Sequence, residues 1–159
     1  GITKEDRPVI KAALDRADLT EEPAAALQIS DGQIITGRTS ALLGASSAVL
    51  LNSLKVMAGI PHETHLISPS IIEPIQKLKI DHMGNRNPRL HMDETLIALS
   101  ISAVTDPVAA LALTQLPKLK DTEAHSTVKL SKVDENVYKR LGINLTCEAT
   151  YQSKRIFQL

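Results

Sequence analysis

The side chains most able to do chemistry are concentrated in one polar stretch, residues 77–94, which interrupts two apolar segments. Arginine binds phosphate or carboxylate through paired hydrogen bonds, and histidine gains or loses a proton near pH 7. The stretch therefore predicts a site for a small anion. Its candidate residues are Lys79, Asp81, His82, Arg86, Asn87, Arg89 and His91.

The same stretch also has a structural interpretation. Arg86 and Arg89 can pair with nearby carboxylates and brace an irregular loop. Asp93 and Glu94 open the next expected helix, where they either complement its dipole or act as general bases. Ligand binding and bracing therefore remain alternatives at this point.

Two further clusters are candidates for the site. His125 precedes Ser126 and Thr127, which predicts a histidine–hydroxyl pair or a phosphate contact, with a polar strand entrance as the alternative. Thr39 and Ser40 precede a helix rich in small residues, whose N-terminus can receive phosphate or can simply pack closely. His82, His91 and His125 are thus the candidate catalytic residues, and Ser126, Thr127, Thr39 and Ser40 join the candidate substrate contacts.

Metal and nucleotide fingerprints are not found in the sequence. His62 and His65 are three residues apart in an expected loop, whereas a helical zinc motif needs a spacing of four. The two glycine-rich patterns typical of nucleotide binding, G-x-x-x-x-G-K-[ST] and G-x-G-x-x-G, do not occur in the sequence. Cys147 points with the apolar face of its expected strand, so we interpret it as an inert thiol. We predict no metal, and the sequence names no cofactor.

Composition argues against several classes of protein. The 159 residues carry 18 basic and 18 acidic side chains, and only 2% are aromatic, which argues against nucleic-acid binding. The longest apolar run, near Leu96–Val104, is too short to span a membrane. A single cysteine allows no intramolecular disulfide and suits a cytoplasmic location. The length fits one domain.

The elements that must position these residues alternate between helix and strand. Asp31-Gly32 predicts a two-residue hairpin turn, and the all-round apolar run 96–104 predicts a buried helix. The prediction is an α/β fold with a mixed, partly antiparallel sheet of four or five strands flanked by helices. Helices are expected at 4–17, 41–58, 71–79, 96–104, 107–116 and 132–141, and strands at 26–30, 33–37, 65–67, 126–130 and 143–152. Ser70, Asp106 and Ser131 are predicted to cap the helices that follow them, Ser131 in a capping box with Asp134, and Gly59 is predicted to end the second helix.

Several uncommon runs resemble a known bacterial family, in order along essentially the whole chain. The similar runs are Gly32–Gly37, Lys79–His82, Arg86–His91, Glu123–Thr127, Leu141–Thr146 and the pair Tyr151-Gln152. Together they are similar to the C-terminal part of the family named domain of unknown function 1846.

The resemblance implies a longer, two-part protein. Its N-terminal part would carry a glycine-rich, lysine-containing segment that resembles a phosphate-binding loop, and this chain would share an anion-binding active site with that part. No family catalytic residue can be carried over. The alternative is a structural or oligomerisation module, in which apolar helices between 94 and 116 lie against another subunit or the N-terminal part. Whether the chain is an enzyme is left open.

Overall fold

Four strands form one mixed sheet in the part of the chain that the computed structural model describes, residues 7–149. The strand order is β2-β1-β3-β4, with antiparallel pairs except for the parallel pair β3 and β4. The predicted α/β fold with a partly antiparallel sheet is therefore confirmed. The elements are α1 (Pro8–Thr20), β1 (Ala24–Gln28), β2 (Ile34–Arg38), α2 (Ala45–Ala58), α3 (Pro69–Asp81), α4 (Met92–Ser102), α5 (Pro107–Leu113), a 3₁₀ turn (Leu116–Leu119), β3 (Glu123–Ser126), α6 (Lys132–Arg140) and β4 (Asn144–Cys147).

The sheet separates two apolar layers. Helix α1 packs Val9 and Ala13 against Ala26 on one face. Because successive strand side chains point to opposite faces, Ala25 and Leu27 belong to the larger core, which also includes side chains of α2, α4 and α5. This alternation decides on which side each functional residue of β3 lies.

Helix α2 lies unusually close to the sheet at Gly37. A Cβ there would stand 2.8 Å from the carbonyl carbon of Ala48 and would also overlap the backbone of Val49. The Nδ2 group of Asn52 donates to the carbonyl of Thr36 at 3.0 Å, which fixes the same contact. Glycine in β2 therefore allows α2 to pack directly against the sheet.

The hairpin between β1 and β2 has a three-residue loop, so the predicted two-residue turn is wrong. Ile29 and Gln33 pair across the loop, and the N–H of Gly32 donates to the carbonyl of Ile29 at 2.9 Å. Among the three loop residues only Gly32 has positive φ, at 93°, whereas the predicted turn would need positive φ at Asp31 as well. The side chain of Asp31 accepts the N–H of Gln33 instead, as in a type I turn followed by a left-handed glycine.

Several helix starts differ from their predicted positions. Helix α2 starts at Ala45 instead of Ala41, because Ser40 Oγ accepts the N–H groups of Leu42 and Leu43 and holds residues 40–43 in a turn. Helix α3 is capped by Ser68 rather than Ser70. The predicted start of the first helix lies outside the described residues, and α1 continues beyond Ala17 to Thr20.

Two strand predictions need correction. Residues 65–67 form no strand, although Leu66 and Ile67 are buried in the core. Strand β3 ends at Ser126, where it was expected to begin, because Ser126 Oγ donates to the carbonyl of Val128 and accepts its N–H in a tight turn. The predicted strand 143–152 is confirmed at Asn144–Cys147, and its last residues lie outside the described part.

Three predicted helix signals are confirmed. Asp106 caps α5 by accepting the N–H of Val108, and Ser131 caps α6 by accepting the N–H of Asp134. Gly59 ends α2 in the left-handed conformation, with φ 71°. Each signal depends on neighbours in sequence alone, so each was accessible to sequence reasoning.

The prediction of a fully buried helix at 96–104 is wrong. Helix α4 packs one side against α2, α5 and α6, but Ile97 and Ile101 are 59% and 61% exposed and Val104 beyond its end is 81% exposed. None of the helices in residues 7–149 combines the length and apolarity needed to cross a membrane.

Candidate functional site

A cleft of about 300 Å³ opens where three helices begin. The N-cap residues of α2, α4 and α6, namely Gly44, His91 and Ser131, all line it. Helix N-termini carry a partial positive charge. The start of α2 has no side-chain cap, whereas N–H groups at the starts of α4 and α6 are bonded to Asp134 and Ser131. Arg89 and Lys129 add two cationic side chains to the wall. The cleft therefore combines several groups that attract an anion.

Arg89 is held in the wall of the cleft by hydrogen bonds around its backbone and its Nε. Its Nε donates to the carbonyl of Ser40 at 2.6 Å, and its backbone N–H donates to Asn87 Oδ1 at 3.0 Å. No residue in the described part accepts a hydrogen bond from its two terminal amino groups. The fold thus fixes one edge of the guanidinium and leaves two donors for a ligand.

Lys79 braces the loop that carries Arg89. Its side chain is 1% exposed, and Nζ donates to the carbonyl of Arg89 and to Glu94 Oε1, both at 2.7 Å. The same Oε1 accepts the backbone N–H of His91 at 2.8 Å. Lys79 and Glu94 therefore brace this segment, whereas the expected ion pairs of Arg86 and Arg89 with nearby carboxylates are not formed within the described residues. Whether Lys79 also contacts a ligand stays a prediction.

Asp134 is the buried acidic residue of the cleft. Its carboxylate accepts the N–H of Met92 and the hydroxyl of Ser46, each at 2.9 Å, so it joins the starts of α2 and α4 to α6. The local sequence predicts Asp134 only as the partner of Ser131 in a capping box. Its bonds run to residues 42 and 88 positions away, and no local pattern signals such pairs.

The remaining residues of the predicted loop site lie at different places. Asn87 and His91 line the cleft with Arg89. Thr39, which directly follows β2, also lines it. Ser40 stands behind Arg89 and accepts its Nε through the backbone carbonyl. Three predicted residues are exposed and outside the wall, so their part in binding stays a prediction; they are Asp81, His82 and Arg86.

His125 lies on the sheet face that α1 covers. It pairs with Ala26 of β1 and Thr146 of β4, so its ring shares the face of Ala26. Its Nδ1 is 2.7 Å from Thr146 Oγ1, and its Nε2 is 3.4 Å from Glu148 Oε2. Thr146 Oγ1 also accepts Nη1 of Arg7 at 2.7 Å.

The surroundings of His125 favour a neutral ring. A guanidinium can only donate, so the hydroxyl proton of Thr146 is available for the Nδ1 lone pair. Burial lowers the pKa of His125; the charge of Glu148 opposes this shift and that of Arg7 adds to it. The pair of histidine and hydroxyl expected from sequence exists, but Thr146 supplies the hydroxyl.

The structure does not bring His125 into the cleft with Arg89. Ser126 Oγ and Thr127 Oγ1 are buried and engaged with the backbone of Val128 and Ala24. Residues 128–131, which follow them, line the cleft instead. Of the site residues predicted from the sequence, the cleft wall therefore contains Thr39, Asn87, Arg89 and His91.

A larger open cavity, about 940 Å³, follows the edge strand β4. Its charged lining is of mixed sign, and Arg7 Nε pairs with Glu123 at 2.9 Å. Cys147 also lines it, and burial raises the pKa of this thiol, which disfavours the reactive thiolate. Size alone therefore does not make this cavity the better anion site.

One group of possible metal ligands occurs in the described part of the chain, at the start of α4. One ligand atom each from His91, Asp93 and Glu94 lies within 4.8 Å of the others. The Oε1 atom of Glu94 already accepts from Lys79 and His91, and Asp93 Oδ1 accepts the N–H of Glu94. These bonds are those of an ordinary helix start, so the group does not indicate a metal.

Comparisons with known proteins agree with the resemblance noted in the sequence. A family model described as "Domain of unknown function DUF1846, C-terminal" matches residues 5–157. A UPF0371 protein from Streptococcus pyogenes serotype M3 is 48% identical over 158 residues, which are 99% of this chain and 32% of that protein. A UPF0371 protein from Corynebacterium aurimucosum is 53% identical over 154 residues, 97% of this chain and 31% of that protein. The chain thus spans about a third of the length of the curated relatives it matches.

Proposed function

The chain belongs to the family described as domain of unknown function DUF1846, C-terminal, and on that premise we propose that it binds a phosphate- or carboxylate-bearing small molecule for a longer protein. The binding site is the cleft at the starts of α2, α4 and α6. The observation that carries the proposal is the convergence of three helix N-caps beside the fixed guanidinium of Arg89.

Arg89 is the principal ligand-binding residue. Its terminal amino groups offer a fork that matches two oxygens of one anionic group. Asn87 uses its carbonyl oxygen to fix the N–H of Arg89, so its amide NH₂ is left to donate to the ligand. Gly44 gives α2 no side-chain cap, and Ala45 and Ser46 at its start line the cleft.

His91 is the residue placed to move a proton. It lines the cleft with a side chain 35% exposed, and its Nδ1 lies 3.7 Å from Glu94 Oε1. That carboxylate is held in place by Lys79, so the imidazole lies beside a fixed acidic group. His91 therefore serves as a proton donor or acceptor beside the bound anion.

The remainder of the longer family protein supplies the rest of the active site. This domain is open at the cleft and covers about a third of the relatives, so a second part can contribute the group that reacts. The alternative is a structural or oligomerisation module with no catalytic residues of its own.

Two arginines of the same loop provide the test. The affinity for inorganic phosphate and pyrophosphate is measured by isothermal titration for the unmodified chain, Arg89→Ala and Arg86→Ala. Losing a charge-assisted fork costs about 1.5–3 kcal/mol, or roughly a 10- to 150-fold weaker affinity. Arg86→Ala removes the same charge from an exposed position outside the wall and should leave the affinity nearly unchanged.

A third variant separates binding from bracing. Arg89→Lys keeps the charge and loses the fork, so we expect intermediate affinity and an unchanged circular dichroism spectrum. Equal losses in the two alanine variants would show a diffuse charge effect, and unchanged affinity in Arg89→Ala would overturn the proposed site.

A further inference from the structure

Five large aliphatic side chains are exposed on the neighbouring helices α4 and α5 and the turn between them. We call this surface the α4–α5 patch; its members are Ile97, Ile101, Val104, Val108 and Leu111. The first three are 59%, 61% and 81% exposed. Helices α4 and α5 contact each other. Ile97 and Ile101 share one face of α4, because they are four residues apart, and Val108 and Leu111 share one face of α5, because they are three apart. Scattered exposed aliphatic residues are ordinary, but an apolar patch across two helices is typical of an interface.

The sequence of these helices lacks the charges of a solvated surface. Residues 95–117 contain a single charged side chain, Asp106, while 23% of the whole chain is charged. Asp106 is used to cap α5 by accepting the N–H of Val108. Exposed helix faces are normally covered with charged residues. The α4–α5 patch therefore has the composition of a surface that another body covers.

We propose that the α4–α5 patch docks against the part of the longer family protein that lies outside this segment. The matched relatives have about two thirds of their length beyond it, which provides a body large enough to cover the patch. Interfaces between domains of one chain are smaller than those of obligate dimers.

The size of the patch favours a tethered partner over a second copy of this chain. Five partly exposed aliphatic side chains present on the order of 300 Å², whereas a stable interface takes about 800 Å² from each partner. A covalent link raises the effective concentration to about the millimolar range, so a small interface suffices within one chain.

The position of the patch connects it with the cleft. His91 caps α4 and lines the cleft, and Ile97 and Ile101 follow it on the same helix. At 1.5 Å per residue they stand about 9 and 15 Å further along the axis. A body docked on α4 would therefore lie close enough to reach the cleft.

The first part of the test uses this chain alone. Sedimentation at low and high micromolar concentration should show a monomer for the unmodified chain and for Ile101→Asp. Leu19→Asp is the matched control, since Leu19 is exposed on α1. A dimer that only Ile101→Asp dissociates would overturn the proposal, because a second copy would then cover the patch.

The second part supplies the missing portion of the family protein. In the full-length relative from Corynebacterium aurimucosum, the segment that matches this chain is replaced by this chain. Aliphatic side chains are then labelled with a carbene, and the labelled positions are identified by mass spectrometry. Labelling at Ile97 and Ile101 should fall several-fold in the longer protein relative to the chain alone, while labelling at Leu19 stays the same. Equal labelling of the patch in both forms would refute the docking. This readout needs no anion, so its failure leaves the proposed cleft untouched.

Discussion

His125 is a buried histidine whose polar surroundings come from two separate parts of the chain. Arg7 precedes α1, Thr146 lies in β4, and Glu148 follows β4. Burial favours the neutral ring, so adding a proton to it costs free energy. The charge state of this one ring is therefore coupled to the packing of the sheet edge.

The free energy of unfolding should fall when the pH is lowered from about 7 to about 5.5. The pKa of folded His125 is lowered, so below about pH 6.5 the unfolded chain takes up the proton first and is favoured. The loss stops once the pH passes the folded pKa. Urea unfolding of His125→Asn should show a smaller pH dependence than the unmodified chain.

His82→Asn serves as the control, because His82 is exposed at the end of α3. It should keep the pH dependence of the unmodified chain. An equal reduction in both variants would mean that His125 does not carry the effect.

At the scale of elements, the cleft depends on how α3 and α4 are joined. Lys79 near the end of α3 reaches the Arg89 carbonyl and Glu94 in the first turn of α4, so one ammonium closes the intervening loop. Leu90 in that loop also forms an isolated parallel β-bridge with Leu43, which lies just before α2. The loop is thereby tied to α2 and α4, two of the three helices whose starts form the cleft.

Lys79→Met should lower the free energy of unfolding by about 1–3 kcal/mol, because the Arg89 carbonyl and the Glu94 carboxylate lose a donor. Hydrogen exchange of the amides at 85–91 should accelerate in the same variant. Lys77→Met, an exposed position on the same helix, should change the free energy of unfolding by less than about 0.5 kcal/mol. Equal effects in urea unfolding would contradict the bracing role of Lys79.

The elements that sequence reasoning placed well are those with local signals. Asp106, Ser131 and Gly59 act within a few residues of themselves, and all three predictions were confirmed. The errors arose where distant contacts decide. Residues 65–67 were expected to form a strand but find no strand partner, and the apolar run of α4 is covered on one side only.

At the scale of the whole molecule, the apolar layers on the two faces of the sheet share strand β1. Ala26 faces α1, while its neighbours Ala25 and Leu27 face the larger core. Loss of either layer would expose one face of β1 to water. We therefore propose that the described residues form one cooperative domain, as their length suggested.

Thermal unfolding should then show one transition by far-ultraviolet and near-ultraviolet circular dichroism. Tyr138 is buried on α6 and donates to the carbonyl of Ser46, so its near-ultraviolet signal reports on the joining of α6 and α2. Coincident midpoints are expected. Two separated midpoints would contradict a single domain.

Only part of the site could be predicted from the sequence, because the topology of the whole fold decides which distant residues meet. The loop residues Asn87, Arg89 and His91 come together because they are close in sequence. Asp134 joins them from a segment more than 40 positions away, and His125 is excluded because strand alternation places it on the opposite face. Topology decides both, and no motif in the sequence encodes it.

The most direct test of the proposed function is an amide-resolved NMR titration of this chain with inorganic phosphate. Saturable shifts should cluster at Ala45, Ser46, Arg89, His91 and Lys129, which line the cleft, while the amides of His125 and Thr146 stay in place. Shifts centred on β4, or no saturable shift at millimolar phosphate, would contradict an anion site in the cleft and favour the structural-module alternative.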